Sequence, residues 1–99
     1  MKNVVLLCAA GMSTSILVKK MEKAAEEMEY ECKIHAHSIA SAREVGADAD
    51  IILLGPQVRF QKDKLKEQFP GKPVEAIDMR DYGMMDGKKV ITWVKNLIG

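Results

Sequence analysis

The sequence lacks several features that mark whole classes of protein. It has only two cysteines, Cys8 and Cys32, and its 15 Lys and Arg residues stand against 14 Asp and Glu residues, for a net charge of +1. Two cysteines do not supply the framework of a disulfide-stapled scaffold, and a nucleic-acid-binding domain would carry a strong basic excess. We therefore expect no disulfide and no nucleic-acid partner.

Long apolar runs are missing as well. The run before Cys8 covers only residues 4–7, which is shorter than the roughly 7–15 residues of a secretory signal. No stretch approaches the roughly 18 apolar residues that a membrane-spanning helix needs. The sequence therefore predicts a cytoplasmic protein. Its 99 residues have room for one core, and we expect a single domain over residues 1–99.

Short apolar segments predict four strands. Residues 3–8 and 50–54 are continuous apolar runs, typical of strands that are buried on both faces. Residues 31–38 alternate between apolar and polar side chains, as an edge strand does, and residues 73–77 form the last predicted strand.

Apolar residues at helical spacing follow each strand. The helices are predicted over residues 14–28, 41–45, 58–69 and 87–98, each opened by a Ser, Thr, Asp or Gly residue or by the turn before it. In the third helix, the side chains expected to face the core are Phe60, Leu65 and Phe69. In the last helix they are Val90, Ile91, Val94, Leu97 and Ile98.

A strand followed by a helix, four times over, predicts an α/β fold with a four-stranded parallel sheet and helices on both faces. The first and third strands should be central, which gives the strand order 2-1-3-4 and a flavodoxin-like topology. Ligands bind such sheets beyond the carboxyl ends of the strands, where the strand order reverses. Cys8 and the segment Gly55-Pro56-Gln57 should meet there, with the Cys8 thiol open to solvent, and Cys32 should lie near the opposite edge.

The seven residues after Cys8 are suited to holding an anion. Small side chains and one glycine leave backbone N–H groups able to point inward, and the N-terminus of the first helix adds partial positive charge that also favours a thiolate. We expect a phosphatase-like, phosphate-binding loop made of Ala9, Ala10, Gly11, Met12, Ser13, Thr14 and Ser15.

Missing motifs decide between the chemistries that such a loop supports. The nucleotide-binding pattern G-x-x-x-x-G-K-[ST] and the redox pattern C-x-x-C are both absent. A cysteine phosphatase places an arginine six positions after its cysteine, whereas this sequence has Thr14 there and its first arginine at Arg43. Without a guanidinium on the phosphoryl oxygens, the loop is predicted to carry phosphate on sulfur. A low-molecular-weight cysteine phosphatase-like hydrolase and a passive anion-binding module stay open as alternatives.

Other candidate side chains have plainer interpretations. His35 and His37 have no nearby carboxylate or cysteine to complete a metal site, so we expect a solvated strand face away from the site, and no metal. Asp78 and Asp81 could act as acids, but we favour capping of the next turn. Core packing and docking of partners are both open for four apolar residues near the site, Met12, Phe60, Met84 and Met85.

Three stretches of the sequence resemble one family. CAAGMSTSILVKKM, LLGPQVRF and PVEAIDMRDYGMMDG, in this order, are similar to the enzyme IIB component of the lactose/cellobiose (chitobiose) family of the bacterial phosphoenolpyruvate-dependent sugar phosphotransferase system. The resemblance runs from Val4 to the last helix. It implies that Cys8 is the nucleophile, that residues 9–15 cradle the phosphate, and that Gln57 and Tyr82 stand beside the loop.

The resemblance also implies a reaction and its partners. Phosphohistidine on enzyme IIA donates its phosphoryl group to the cysteine of IIB. The phosphocysteine then phosphorylates a disaccharide of the cellobiose, chitobiose or lactose type, which the membrane enzyme IIC holds during uptake. On this basis we expect a phosphotransferase that needs no cofactor and no metal. We expect a cytoplasmic monomer that is transiently at the inner face of the membrane through IIC.

Overall fold

The structure is a computed structural model that describes residues 1–9 and 14–99, apart from the side chain of Thr14. The strands in these ranges are β1 (Lys2–Cys8), β2 (Cys32–Ser38), β3 (Ile51–Leu54) and β4 (Val74–Ala76). The α-helices are α1 (Thr14–Glu27), α2 (Ala42–Gly46), α3 (Lys62–Gln68), α4 (Met79–Gly83) and α5 (Gly87–Ile98), and 3-10 turns occupy Ile39–Ser41 and Pro56–Gln61. None of the helices in these ranges combines the length and the apolar character that a membrane crossing requires.

All four strands are parallel and lie in the order β2-β1-β3-β4, which confirms the predicted topology. The register pairs Lys2 with Cys32 at one end of β1 and Cys8 with Ser38 at the other. We call the edge where the strands end the carboxyl edge, formed by Cys8, Ser38, Leu54 and Ala76. The amino edge, where the strands begin, is formed by Lys2, Cys32, Ile51 and Val74.

Both faces of the sheet are covered, because the central strands β1 and β3 direct apolar side chains to either side. One core lies between the sheet and helices α1 and α5; its members include Leu6, Leu17, Met21, Ile91 and Val94. The second core lies between the sheet and the segment from α2 to α3; its members include Val5, Leu7, Ala42, Val58 and Leu65. Each fully buried Leu, Ile or Val side chain stabilises the fold by about 1.5–3 kcal/mol.

Helix α5 packs on α1 at unusually short range. Gly87 begins α5, and the Asp86 carboxylate caps the helix by accepting a hydrogen bond from the Lys89 N–H at 3.1 Å. A Cβ atom at position 87 would overlap the backbone of Lys20 and Met21 in α1. Glycine is therefore required at this position so that the two helix backbones can approach each other.

Two side chains that were predicted to face the core are exposed. Phe60 is 73% exposed, because the segment begins with a 3-10 turn in which Val58 has φ −119° and ψ 18°, outside the helical range. This shift in phase buries Val58 in place of Phe60. Leu97 is 43% exposed, because it lies in the last turn of α5, on the flank of the buried stripe. The predictions for Leu65 and for Val90, Ile91 and Val94 are confirmed.

Candidate functional site at the carboxyl edge

Cys8 is the last residue of β1 and lies at the carboxyl edge, between the ends of β2 and β3. Its Sγ lies 4.0 Å from the carbonyl oxygen of His37, to which the thiol donates a weak hydrogen bond. Cys8 is only 2% exposed, so the prediction of a thiol open to solvent is wrong for this structure. Cys8 follows Leu6 by two residues, so its side chain leaves the sheet on the same face, which α1 and α5 cover.

The turn after β3 brings a second predicted residue to Cys8. The Gly55 N–H donates to the Leu7 carbonyl at 2.9 Å, which fixes the turn beside the end of β1. A Cβ atom at Gly55 would lie 3.6 Å from the Cys8 Cβ and 3.2 Å from the Gln57 Oε1. Cys8 and Gln57 therefore flank the same small space, as the strand order predicts.

Tyr82 reaches this edge from α4, a helix of five residues that the sequence analysis missed. Its N-cap is Asp78, whose carboxylate accepts a hydrogen bond from the Arg80 N–H at 2.8 Å. Tyr82 is 6% exposed. Tyr82 and Gln57 both line a hollow of about 410 Å³; the other lining residues are Pro56, Met79 and Gly83.

The predicted phosphate-binding loop is described only at its two ends. Ala9 follows β1 and is exposed, and α1 begins at Thr14, with an exposed Ser15 in its first turn. Ala10, Gly11, Met12 and Ser13 lie outside the described residues, as does the side chain of Thr14. The positive end of the α1 dipole begins six positions after Cys8, which is compatible with an anion near the thiol.

The prediction that both histidines lie away from the site is wrong for His37. The register pairs His37 with Leu7, one position before Cys8, and the His37 carbonyl accepts the hydrogen bond from the Cys8 thiol. Parallel strands end at the same edge of a sheet, so a residue near the end of β2 must lie near the end of β1. The rings of His35 and His37 are 6.3 Å apart. Within the described ranges, no cluster of three or more His, Cys, Asp or Glu residues suits a metal ion.

The two aspartates that follow β4 have different roles. Asp78 caps α4, as predicted. Asp81 instead forms an ion pair with Lys89 of α5, with 3.2 Å between the Asp81 Oδ1 and the Lys89 Nζ. The exposed lysine limits the contribution of this pair to about 0–1 kcal/mol. Each carboxylate thus has a structural contact.

The four apolar residues for which core packing and docking were both open have different surroundings. Phe60 and Met84 are 73% and 69% exposed, whereas Met85 is half-buried and packs against the core beneath α1 and α5. Met12 lies outside the described residues. Met79, which is 64% exposed and lines the hollow beside Gln57, was missed by the sequence analysis. Its place soon after the last predicted strand, residues 73–77, was the available signal.

Cys32 lies at the amino edge, where it pairs with Lys2, as expected. Six residues of strand separate this edge from Cys8, a distance of about 20 Å at roughly 3.3 Å per residue. Both cysteines belong to the described residues and neither is in a disulfide. Burial raises the pKa of the Cys32 thiol, and the negative charge of Glu22 adds to this effect.

Comparison with known proteins gives matches along nearly the whole chain. The family model for the lactose/cellobiose-specific IIB subunit of the PTS matches residues 3–92. A galactose-specific EIIB component of Lactococcus lactis subsp. cremoris is 45% identical over 104 residues, which cover 98% of this chain and 96% of that protein. A cellobiose-specific EIIB component of Lactococcus lactis subsp. lactis is 44% identical with the same coverage. A lactose-specific EIICB component of Staphylococcus epidermidis is 34% identical over 65 residues, 66% of this chain and 11% of that protein.

Two solved structures have the same fold. The cellobiose-specific phosphotransferase IIB component of Borrelia burgdorferi is 40% identical, with a TM-score of 0.80 over 98% of this chain and 91% of that one. The lactose-specific IIB component domain of Streptococcus pneumoniae gives a TM-score of 0.85 over 96% of this chain and 95% of that one. Its identity is 20%, and it therefore supports the fold alone.

Proposed function

This chain belongs to the lactose/cellobiose-specific IIB family of the sugar phosphotransferase system, and we propose that Cys8 is the residue that carries the phosphoryl group. The family makes the chain a sugar phosphotransfer component. The observation that carries the proposal for Cys8 is its place as the last residue of β1, at the reversal of strand order, beside the turn that holds Gln57.

The proposed reaction has two steps. The Cys8 thiolate attacks the phosphorus of a phosphohistidine on enzyme IIA; the S–P bond forms, the N–P bond breaks, and the histidine nitrogen keeps the electron pair. A hydroxyl of a disaccharide held by enzyme IIC then attacks the same phosphorus; the O–P bond forms, the S–P bond breaks, the thiolate leaves with the electron pair, and the hydroxyl proton passes to solvent. Positioning is the main contribution of the protein to such a transfer, and no cofactor or metal takes part.

Neutral donors hold the phosphoryl group in this proposal. The backbone N–H groups and hydroxyls of residues 9–15 form the cradle, and Gln57 and Tyr82 flank it. Amides and hydroxyls bind phosphoryl oxygens without the bidentate charge of a guanidinium, so they hold the group without strongly activating its hydrolysis. A phosphocysteine in such a cradle persists until an acceptor arrives.

The relatives support the proposed partners. The EIICB relative has, by its name, EIIC and EIIB parts in one component, which supports IIC as the partner that holds the acceptor sugar; IIA is the donor that the family resemblance implies. Identity is nearly equal to a galactose-specific and a cellobiose-specific component, which supports a choice of sugar made by IIC. We propose one IIB domain over residues 1–99 that is monomeric, cytoplasmic and transiently at the membrane through IIC.

The burial of Cys8 adds a requirement. A thiol that is 2% exposed cannot meet a phosphohistidine unless the residues around it move. The proposal therefore includes an opening of the carboxyl edge when IIA docks. Alkylation of Cys8 by a small reagent reports the transfer itself, because phosphorylated IIA should block it by forming the phosphocysteine, whereas unphosphorylated IIA should not.

The decisive experiment compares three proteins: the natural chain, C8S and the matched control C32S. Each is incubated with phosphorylated IIA, and the intact mass and the 31P spectrum are recorded. The natural chain and C32S should gain one phosphoryl group with the spectrum of a thiophosphate ester, and C8S should gain none while keeping its circular dichroism spectrum.

The same samples distinguish the alternatives. The carrier should hydrolyse a chromogenic aryl phosphate at a negligible rate. Rapid hydrolysis without a stable adduct would make the chain a cysteine phosphatase-like hydrolase, and phosphate binding with neither adduct nor hydrolysis would make it a passive anion-binding module. A thiophosphate adduct on C8S would contradict the assignment of Cys8.

A further inference from the structure

The backbone conformation at position 55 does not require glycine. Its φ of −61° and ψ of 152° lie in the extended region that every residue adopts. Pro56 favours the same region for the residue before it. The need for glycine must therefore come from the space that a side chain would occupy.

That space lies between Cys8 and Gln57. A Cβ atom at Gly55 would point toward both residues, 3.6 Å from the Cys8 Cβ and 3.2 Å from the Gln57 Oε1. The second distance is shorter than an ordinary carbon contact. The missing side chain thus allows the Gln57 amide to lie against the backbone next to Cys8.

Gln57 occupies this space although it is an exposed residue at the surface of the 3-10 turn. A side-chain amide has an acceptor oxygen and a donor NH2 group, and rotation about its last bond exchanges their places. Gln57 can therefore present an N–H donor to a group attached to the Cys8 sulfur, and it does so without a formal charge.

We propose that Gln57 binds the phosphoryl group on Cys8 through its side-chain NH2, and that Gly55 is free of a side chain so that this amide can reach it. This inference rests on the proposed function of Cys8. It assigns the two residues complementary tasks, since Gln57 supplies a neutral donor and Gly55 supplies the room for it. Neutrality at position 57 is then a requirement, because a carboxylate there would repel the phosphoryl oxygens.

Two variants of Gln57 distinguish the effect of an added negative charge from the effect of losing the amide. Q57A removes the donor and should slow phosphorylation by phosphorylated IIA about tenfold, the effect of one hydrogen bond to a charged group. Q57E keeps the shape of the side chain but adds a negative charge, and it should slow the reaction by at least about another tenfold. Equal rates for Q57A and Q57E would overturn the inference.

A second readout does not depend on IIA. In the C32S background, Cys8 is alkylated with neutral iodoacetamide and with anionic iodoacetate. Q57E should lower the iodoacetate rate relative to the iodoacetamide rate by about tenfold, and Q57A should leave the ratio near that of the parent. An unchanged ratio in Q57E would show that position 57 does not face Cys8. A changed ratio with no phosphoryl adduct on any protein would instead overturn the proposed function.

A double-mutant cycle tests Gly55. G55A should slow phosphorylation about as much as Q57A, because the added Cβ displaces the amide, and it should hardly change the urea midpoint, because the displaced side chain is flexible and exposed. The double variant G55A/Q57A should then be no slower than Q57A. Multiplicative losses would show that Gly55 acts independently of Gln57 and would overturn its part of the inference.

Discussion

Cys8 and Cys32 lie on neighbouring strands at opposite edges of the same sheet. Cys8, the candidate nucleophile, is 2% exposed, whereas Cys32 is half-buried. The raised pKa of Cys32 keeps that thiol protonated although it is the more exposed of the two. Exposure alone would thus favour Cys32, whereas position relative to the strand order favours Cys8, the cysteine of the proposal.

Side-chain hydrogen bonds hold the loops at the amino edge. At the amino edge, Lys72 donates two hydrogen bonds, from its Nζ to the Ala47 carbonyl at 2.6 Å and to the Ala49 carbonyl at 2.7 Å. The Asn3 N–H donates to the Asp50 Oδ2 at 2.7 Å. These contacts join the segments that precede β3 and β4 to the start of β1.

Glycines at the two edges face different neighbours. At the carboxyl edge, a Cβ at Gly55 would meet the flexible end of Gln57. At the amino edge, a Cβ at Gly46 would meet the ring of Phe69, which packs against the second core. We infer that the amino edge contributes stability and the carboxyl edge contributes chemistry.

The largest effect is expected for G46A, which disturbs the packing at the amino edge. The added Cβ would lie 2.5 Å from the Phe69 Cζ, so the half-buried aromatic ring must move against the second core. The free energy of unfolding, measured in urea, should fall by about 1–3 kcal/mol. Phosphorylation of Cys8 should stay unchanged at a temperature where the variant is folded.

A second substitution serves as the control for this contact. G46A/F69L should recover part of the lost stability, because leucine leaves room for the new methyl group. An unchanged urea midpoint for G46A would contradict the contact. Slower phosphorylation by the folded variant would contradict the separation of the two edges.

A smaller effect is expected for K72M at the same edge. Methionine keeps most of the apolar stem but removes both hydrogen bonds to backbone carbonyls, so the free energy of unfolding should fall by about 1–2 kcal/mol. K66M, at an exposed position on α3, is the matched control and should stay within about 0.5 kcal/mol of the parent. Equal midpoints for K72M and K66M would mean that the lysine contacts do not hold the amino edge.

The sequence was sufficient to predict the topology and the meeting of Cys8 with the turn that contains Gln57. The pattern of apolar residues shows which faces of the strands and helices are buried, and it therefore predicts these elements. The reversal of strand order then places Cys8 beside the turn that contains Gln57. The burial of Cys8 could not be read in the same way, because it depends on how closely the surrounding segments cover the end of the strand. The same holds for the approach of Gln57 to Gly55, which only coordinates reveal.

Local backbone geometry accounts for the remaining differences. Apolar spacing assigned Phe60 to the core because a continuous helix was assumed, whereas Val58 departs from helical dihedral angles. Helix α4 has five residues, too few for a periodic pattern, and only the capping residue Asp78 indicated it. The alternation of side chains along β2 predicts the face on which His37 lies but not its distance from the site. His37 is one residue from the end of β2, which places it close to Cys8.

The smallest effect is expected for Y30F, near the amino edge. Within residues 1–9 and 14–99, the buried Tyr30 hydroxyl has no hydrogen-bond partner, so its removal should change the free energy of unfolding at pH 7 by between zero and a gain of about 1 kcal/mol. Burial, first of all, and then the charges of Cys32 and Asp50 raise the pKa of Tyr30 above 10.0. Ionisation of the phenol is therefore less favourable in the folded state than in the unfolded state, so the free energy of unfolding falls as the pH rises from about 10 through the raised pKa.

Urea titrations of C32S and C32S/Y30F between pH 7 and pH 11 measure this difference without the Cys32 thiol. The parent should lose stability relative to the Y30F protein above about pH 10. A loss of more than about 1 kcal/mol on Y30F substitution at pH 7 would mean that the hydroxyl has a partner. The amino edge would then hold a polar group with a task of its own, and the division between a stabilising edge and a chemical edge would no longer stand.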